Sequence, residues 1–71
     1  MLDQHTLFEA NDQMALINAI TMTDVTHKKM KLYAGLAEDT SVRDFFQERA
    51  GLLEKVNLRF RKELERVGGR T

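Results

Sequence analysis

The stretch "LAEDTSV", Leu36 to Val42, decides the fold. It is the one clear break in a chain that otherwise carries helical spacing along nearly its whole length. Ser and Thr beside acidic groups suit the start of a helix, where their oxygens accept backbone N–H groups that have no partner in the first turn. Ser41 has Asp44 three positions on, an acidic variant of the capping box, and Thr40 is the alternative cap. Downstream, Val42, Phe45, Phe46, Leu52, Leu53, Val56, Phe60, Leu64 and Val67 recur at intervals built from three and four. Arg66 stands in the last turn, facing the negative end of the helix dipole, and Gly68-Gly69 ends the run. The pattern predicts a helix over about 41–67.

Upstream of the break, residues 12–37 hold no strong helix breaker, and Gly35 lies close enough to the end to be tolerated. Asp3 or Thr6 can cap the start. A helix over about 3–37 is predicted, with Asn11-Asp12 the one place where it could bend or restart. At ~100° per residue, Leu7, Met14, Thr21, Val25, Leu32 and Leu36 fall within a narrow arc. Two helices joined by a short turn make an antiparallel hairpin, so the expected fold is all-α.

The chain has 71 residues, which bounds it to a single hairpin domain over 1–71. A chain this short rarely draws more than ~3–5 kcal/mol from its own core. It has no Cys and no Pro, so neither a disulfide nor a thiolate zinc site is available. Oligomerisation is the remaining route to stability. Lys plus Arg and Asp plus Glu number 11 each, so no basic excess points to nucleic acid. The N-terminus does not read as a signal peptide, and no apolar run reaches the ~18 residues of a membrane span. A cytoplasmic protein is expected.

The two helices differ in surface. The second carries charge all along its outer face, with Arg59/Glu63 and Arg61/Glu65 spaced to pair at i, i+4. The first has Asp24 as its only charge between Gln13 and Thr26. Ala15, Leu16, Ala19, Ile20, Thr23, Met30 and Ala34 occupy the side away from Met14 and Val25. A helix apolar nearly all round is buried nearly all round, and one hairpin partner cannot cover it. The expected cover is a second copy, giving a homodimeric four-helix bundle with Leu16, Ala19, Ile20, Thr23 and Met30 in the interface and Leu58 beside Met30 as a further seam residue. Dimer and tetramer are both open.

Asp24 and His27, three apart in "TMTDVTH", can reach one point from one helix face. Such a pair is half of the site with which four-helix bundles hold metals, and a facing carboxylate would come from Glu48 or Glu54. The competing reading is a polar patch: Thr hydroxyls bonded back to the helix and Asp24 paired with Lys28. Asp is short, Glu48 and Glu54 lie at the edge of the apolar stripe, and the polar patch is the expected outcome. No metal or other cofactor is therefore expected. His5 and the run Lys28-Lys29-Met30-Lys31 lack the partners a site needs. No Gly-rich phosphate loop and no nucleophile with an evident base occurs, so no catalysis is expected.

"LYAGLAEDTSVRDFFQERAGLLEKVNLRF", Leu32 to Phe60, resembles the helical hairpin of the ferritin-like superfamily. Tyr33 stands near the end of the first helix, an Ala-Glu turn follows, and Val42-Arg43 leads into a helix bearing Phe45-Phe46. The short spore-coat-like branch is the nearest likeness. The resemblance implies a helical assembly protein, possible association with a spore coat, and iron or manganese where the family's Glu-x-x-His stands in the second helix. Here that region reads Leu53-Glu54-Lys55-Val56-Asn57, with Val56 or Asn57 at the His position. The family's first-helix Glu falls near Thr26 or His27. The likeness is to a hairpin whose ligands are lost. A non-catalytic structural protein is the leading expectation. The alternatives are a metalloprotein using Asp24, His27 and a second-helix Glu, or an adaptor docking on a larger protein partner.

Overall fold

The computed structural model describes residues 4–68, with side chains from residue 11 onward. Two helices account for nearly all of it: α1, Gln4–Leu36, and α2, Thr40–Gly68. They lie antiparallel, as the spacing predicts. α1 runs through Asn11-Asp12 without interruption. The cap expected at Asp3, the side chains of His5 and Leu7, and Gly69 lie outside the described residues; Thr6, the alternative cap, is already inside α1.

The turn is capped differently from the sequence reading. The Val42 N–H donates to Asp39 Oδ1 at 3.1 Å, and the Arg43 N–H donates to the Asp39 carbonyl at 3.0 Å. Asp39 is thus the N-cap, with Thr40 already helical. A carboxylate beside the positive end of the α2 dipole is favoured over a hydroxyl one or two places further in. At the other side of the turn, the Arg43 guanidinium donates to the Ala37 carbonyl at 3.3 Å, satisfying one acceptor that α1 leaves open. Asp39→Ala is expected to cost about 0.5–2 kcal/mol and Ser41→Ala far less. Paired thermal melts check this, and equal losses would remove Asp39 from the cap.

The contact between the helices has a coiled-coil rhythm. On α1 the half-buried or buried row is Leu16, Ile20, Thr23, His27, Met30 and Ala34, and Ala37 continues it just past the helix end. On α2 it is Phe46, Ala50, Leu53, Asn57, Phe60, Leu64 and Val67. Steps of four and three alternate throughout both rows, which is the spacing that keeps one stripe facing a partner helix. Ala34 and Ala50 are the most tightly enclosed apolar residues, at 5% and 4% exposure. Near the turn, Tyr33 and Phe46 pack with ring centres 5.4 Å apart, and Phe45 meets Phe46 edge-on at 5.4 Å. Arg49 stacks over Phe45 at 5.3 Å.

This arrangement corrects the expected facing of both helices. Met14, Thr21, Val25, Leu32 and Leu36 do not meet α2; they are exposed. At ~100° per residue their arc points almost directly away from it. Leu16, Ala19, Ile20, Thr23 and Met30, expected between two hairpins, lie within the hairpin on the side of α1 turned toward α2, each half-buried. On α2, Phe45, Leu52 and Val56 sit beside the seam rather than in it, at 51%, 49% and 40% exposure.

Candidate functional site

Halfway along the hairpin the seam turns polar. Asn57, 8% exposed, projects from α2 toward α1. Its amide Nδ2 donates to the Thr23 hydroxyl at 2.7 Å and to the Ile20 carbonyl at 3.1 Å. Its Oδ1 accepts from Arg61 Nε at 2.7 Å, and Arg61 Nη2 reaches Asp24 Oδ2 at 2.8 Å. Thr23 in turn donates to the Ala19 carbonyl at 2.8 Å. The chain Asp24–Arg61–Asn57–Thr23 therefore ties one turn of α2 to one turn of α1. Both ends of the enclosed Asn57 amide and the Thr23 hydroxyl are partnered, which is the condition under which a polar group within a seam does not destabilise. Asp24 and Arg61 are 41% and 52% exposed at the side chain, so their ion pair itself contributes little, about 0–1 kcal/mol.

Asp24 pairs with Arg61 across the hairpin, not with Lys28 along α1. Thr21, Thr23 and Thr26 each donate a hydroxyl proton four residues back into α1, as the polar-patch reading anticipates. His27 lies in the seam, and its Nε2 is buried with no hydrogen-bond partner among the described residues. It borders an open groove of about 560 Å³ with Lys31, Gly35, Arg43, Gln47, Gly51 and Glu54. Glu48 is exposed, and it is not among the residues bordering that groove. Among the described residues no three His, Cys, Asp or Glu side chains converge as a metal would require. Asn57 engages both ends of its amide in the seam. The sequence does not announce this bonding role, because a lone Asn among Val56, Leu58 and charged neighbours carries no motif. Its signal is positional, a polar residue on the 3,4 row.

On α2, Arg66 Nε donates to Glu63 at 2.9 Å, one turn apart. This bond holds the exposed Glu63 carboxyl below its usual range and raises Arg66. The small stabilisation this brings is present above the ordinary carboxylate pKa and fades as pH falls through the lowered one. The expected pairings Arg59/Glu63 and Arg61/Glu65 give way to these contacts.

The largest feature is an uncovered apolar face. Alongside the seam, Thr26 and Met30 of α1 and Leu52, Leu53 and Val56 of α2 line a shallow apolar trough, edged by Arg49. It continues through Leu16, Val56 and Phe60, where Arg59 and Glu63 form the margin. Among the described residues only Ala34, Ala50 and Asn57 are buried, and no large side chain is fully enclosed. Among the described residues no helix is long and apolar enough to cross a membrane.

The fold and this surface define a two-helix hairpin with a polar lock in its seam and an open apolar flank. No family model, curated protein or solved structure matches the chain.

Proposed function

We propose that this protein is a non-catalytic assembly module whose hairpin pairs with a second copy to complete a four-helix bundle. The observation that carries the reading is the imbalance between seam and surface. A compact chain of this mass would expose about 4,500 Å². This one exposes 5859 Å². The excess, roughly 1,300 Å², is within the range that each partner buries in an obligate homodimer. The shape agrees: the Cα radius of gyration is 16.5 Å, against about 11 Å for a compact domain of this length. The body measures 57 × 18 × 12 Å, a slab one helix thick. A second slab laid on the trough would turn a two-helix layer into a bundle with a core.

Both helices contribute to the trough, so a twofold axis through it brings four helices around one apolar centre. Met30, Leu52 and Val56 lie at that centre, and Arg49, Arg59 and Glu63 at its rim. Ferritin-like bundles are likewise built of paired hairpins, and that kinship is part of the proposal; it is supported by the hairpin and by the sequence likeness over Leu32–Phe60. The same proposal places the protein inside the cell, with a spore coat as one setting for such a building block.

Leu52→Glu tests the reading. Leu52 is half exposed in the hairpin, so the change leaves the single chain foldable but sets a charge on the trough. Sedimentation at micromolar concentration should show the wild-type protein associated and Leu52→Glu at half the wild-type mass. A wild-type protein that sediments as a monomer at high concentration while fully helical would end the proposal.

A further inference from the structure

The open groove of about 560 Å³ lies on the other side of the seam from the trough, so a partner seated on the trough leaves it uncovered. It exists because large side chains are missing there on both helices: Ala34-Gly35 of α1 and Ala50-Gly51 of α2 form its floor. The alanines set how closely the helices approach, but nothing in the hairpin accounts for the glycines. Neither has a positive φ. A Cβ built on either meets nothing within 4 Å. Gly51 lies in mid-α2 and Gly35 in the last turn of α1, and alanine would favour the helix more at both places. Glycine that neither backbone nor packing requires suits a close approach to the helix from outside.

The rim is polar and unpartnered. Lys31, Gln47 and Glu54 make no hydrogen bond or ion pair among the described residues, and Arg43 spends only Nη2, on the Ala37 carbonyl. His27 and Glu54 mark the end away from the turn. There His27 Nε2 is the one buried side-chain nitrogen or oxygen without a partner among the described residues. Such an atom ordinarily bonds to protein, water or a bound molecule. Arg43 marks the turn end, about three turns of α2 from Glu54. We propose that the groove binds a small organic oxyanion, a phosphate or carboxylate carried on a slim, flat body. The head bonds to Arg43 and Lys31, whose donors are charge-assisted. The body lies on the alanine–glycine floor, and a polar group at its far end bonds to His27 Nε2. Glu54 sets the direction, because an oxyanion at that end would meet a like charge, whereas an amine there would meet an acceptor. The site does not depend on the bundle.

Nitrogen–proton correlation NMR of the full chain tests this with two probes, adenosine monophosphate and para-aminohippurate. Each joins an oxyanion to a flat ring bearing an amine, and the pair separates a phosphate site from a carboxylate one. The preferred probe should saturate in the millimolar range, shifting the amides of Lys31, Gly35, Gln47 and Gly51 and the ring nitrogens of His27. Leu16 and Phe60, on the trough, should not move. Inorganic phosphate should bind more weakly and leave His27 unshifted, and adenosine should not bind. Lys31→Gln should weaken binding about tenfold. Gly51→Leu fills the floor from a position with open space around its Cβ, so it should stay helical and lose binding. Leu52→Glu should bind as the wild type does, which separates this site from the bundle. Saturable binding of neither probe, binding unchanged in Gly51→Leu, or shifts spread equally over Lys28, Lys29, Lys55 and Lys62 would overturn the proposal.

Discussion

Ala50→Leu is expected to lower the melting temperature sharply, while Gly51→Ala, one residue away, stabilises. Ala50 is 4% exposed and shares the tightest part of the seam with Ala34 at 5%. Their small side chains set how closely the helices approach. Three added carbons have no space there, and overpacking of this kind costs typically 1–3 kcal/mol. Against the ~3–5 kcal/mol that a hairpin's own core supplies, such a loss is a large fraction of the whole. Gly51 is the opposite case. A Cβ built on it meets nothing within 4 Å, and it lies in the interior of α2. Glycine there costs up to about 1 kcal/mol of helix propensity relative to alanine. Circular dichroism melts of the two variants at one concentration should move in opposite directions. Similar melting temperatures for Ala50→Leu and wild type would mean that the helices are not held at the alanine-set distance.

Asn57→Ala is the second large effect. It removes the acceptor of Arg61 Nε and the donor to Thr23 and Ile20, and it empties a buried position. Net hydrogen-bond losses of this sort, one involving a charged group, amount to about 1–3 kcal/mol. Asn57→Leu separates the two contributions. It refills the space, and the Thr23 hydroxyl retains the Ala19 carbonyl. Stability should recover in part, as it does when paired polar groups give way to apolar ones of similar volume. What should not recover is uniqueness. A lone seam Asn fixes register and partner number because only one alignment satisfies it. Asn57→Leu is therefore expected to elute as several species where the wild type elutes as one. A single sharp species of unchanged mass would show that the lock does not set alignment.

The two helices and the turn between them were legible in the residues, and the facing of the helices was not. The reason lies in where the polar side chains fall. The seam rows contain Thr23, His27 and Asn57, together with the small Ala34 and Ala50. The rows outside the seam contain Met14, Val25, Leu32, Leu36, Phe45, Leu52 and Val56. On α1 a reading that follows Met14, Val25, Leu32 and Leu36 chooses the wrong stripe, although the seam holds Leu16, Ile20 and Met30 as well. On α2, Phe46, Leu53, Phe60 and Leu64 do lie in the seam, while Phe45, Leu52 and Val56 flank it. α1 has apolar groups on opposite sides, so its periodicity has no single direction to report. The candidate lock was hidden for a related cause. Its members are separated by 34 and 37 residues, and no local spacing announces the bond from Asn57 to Thr23 or from Arg61 to Asp24. The cap moved from Ser41 to Asp39 because two hydroxyls and a carboxylate compete within three positions, and the dipole decides among them.

The placing of the aromatic cluster and the lock also orders the events by which the hairpin closes. Tyr33 and Phe46 lie 13 residues apart across the turn, so their contact closes a small loop. The contact between Thr23 and Asn57 spans 34 residues and, formed first from an open chain, would cost about 0.9 kcal/mol more in loop entropy. Closing from the rings outward is therefore the order of lower entropic cost, with each turn of seam brought within reach by the one before it. By the time Asn57 arrives opposite Thr23 the register has already been proposed by the rings, and the lock only accepts or rejects it. Rate and fidelity thus reside in different residues, and a sequence change can alter one without touching the other.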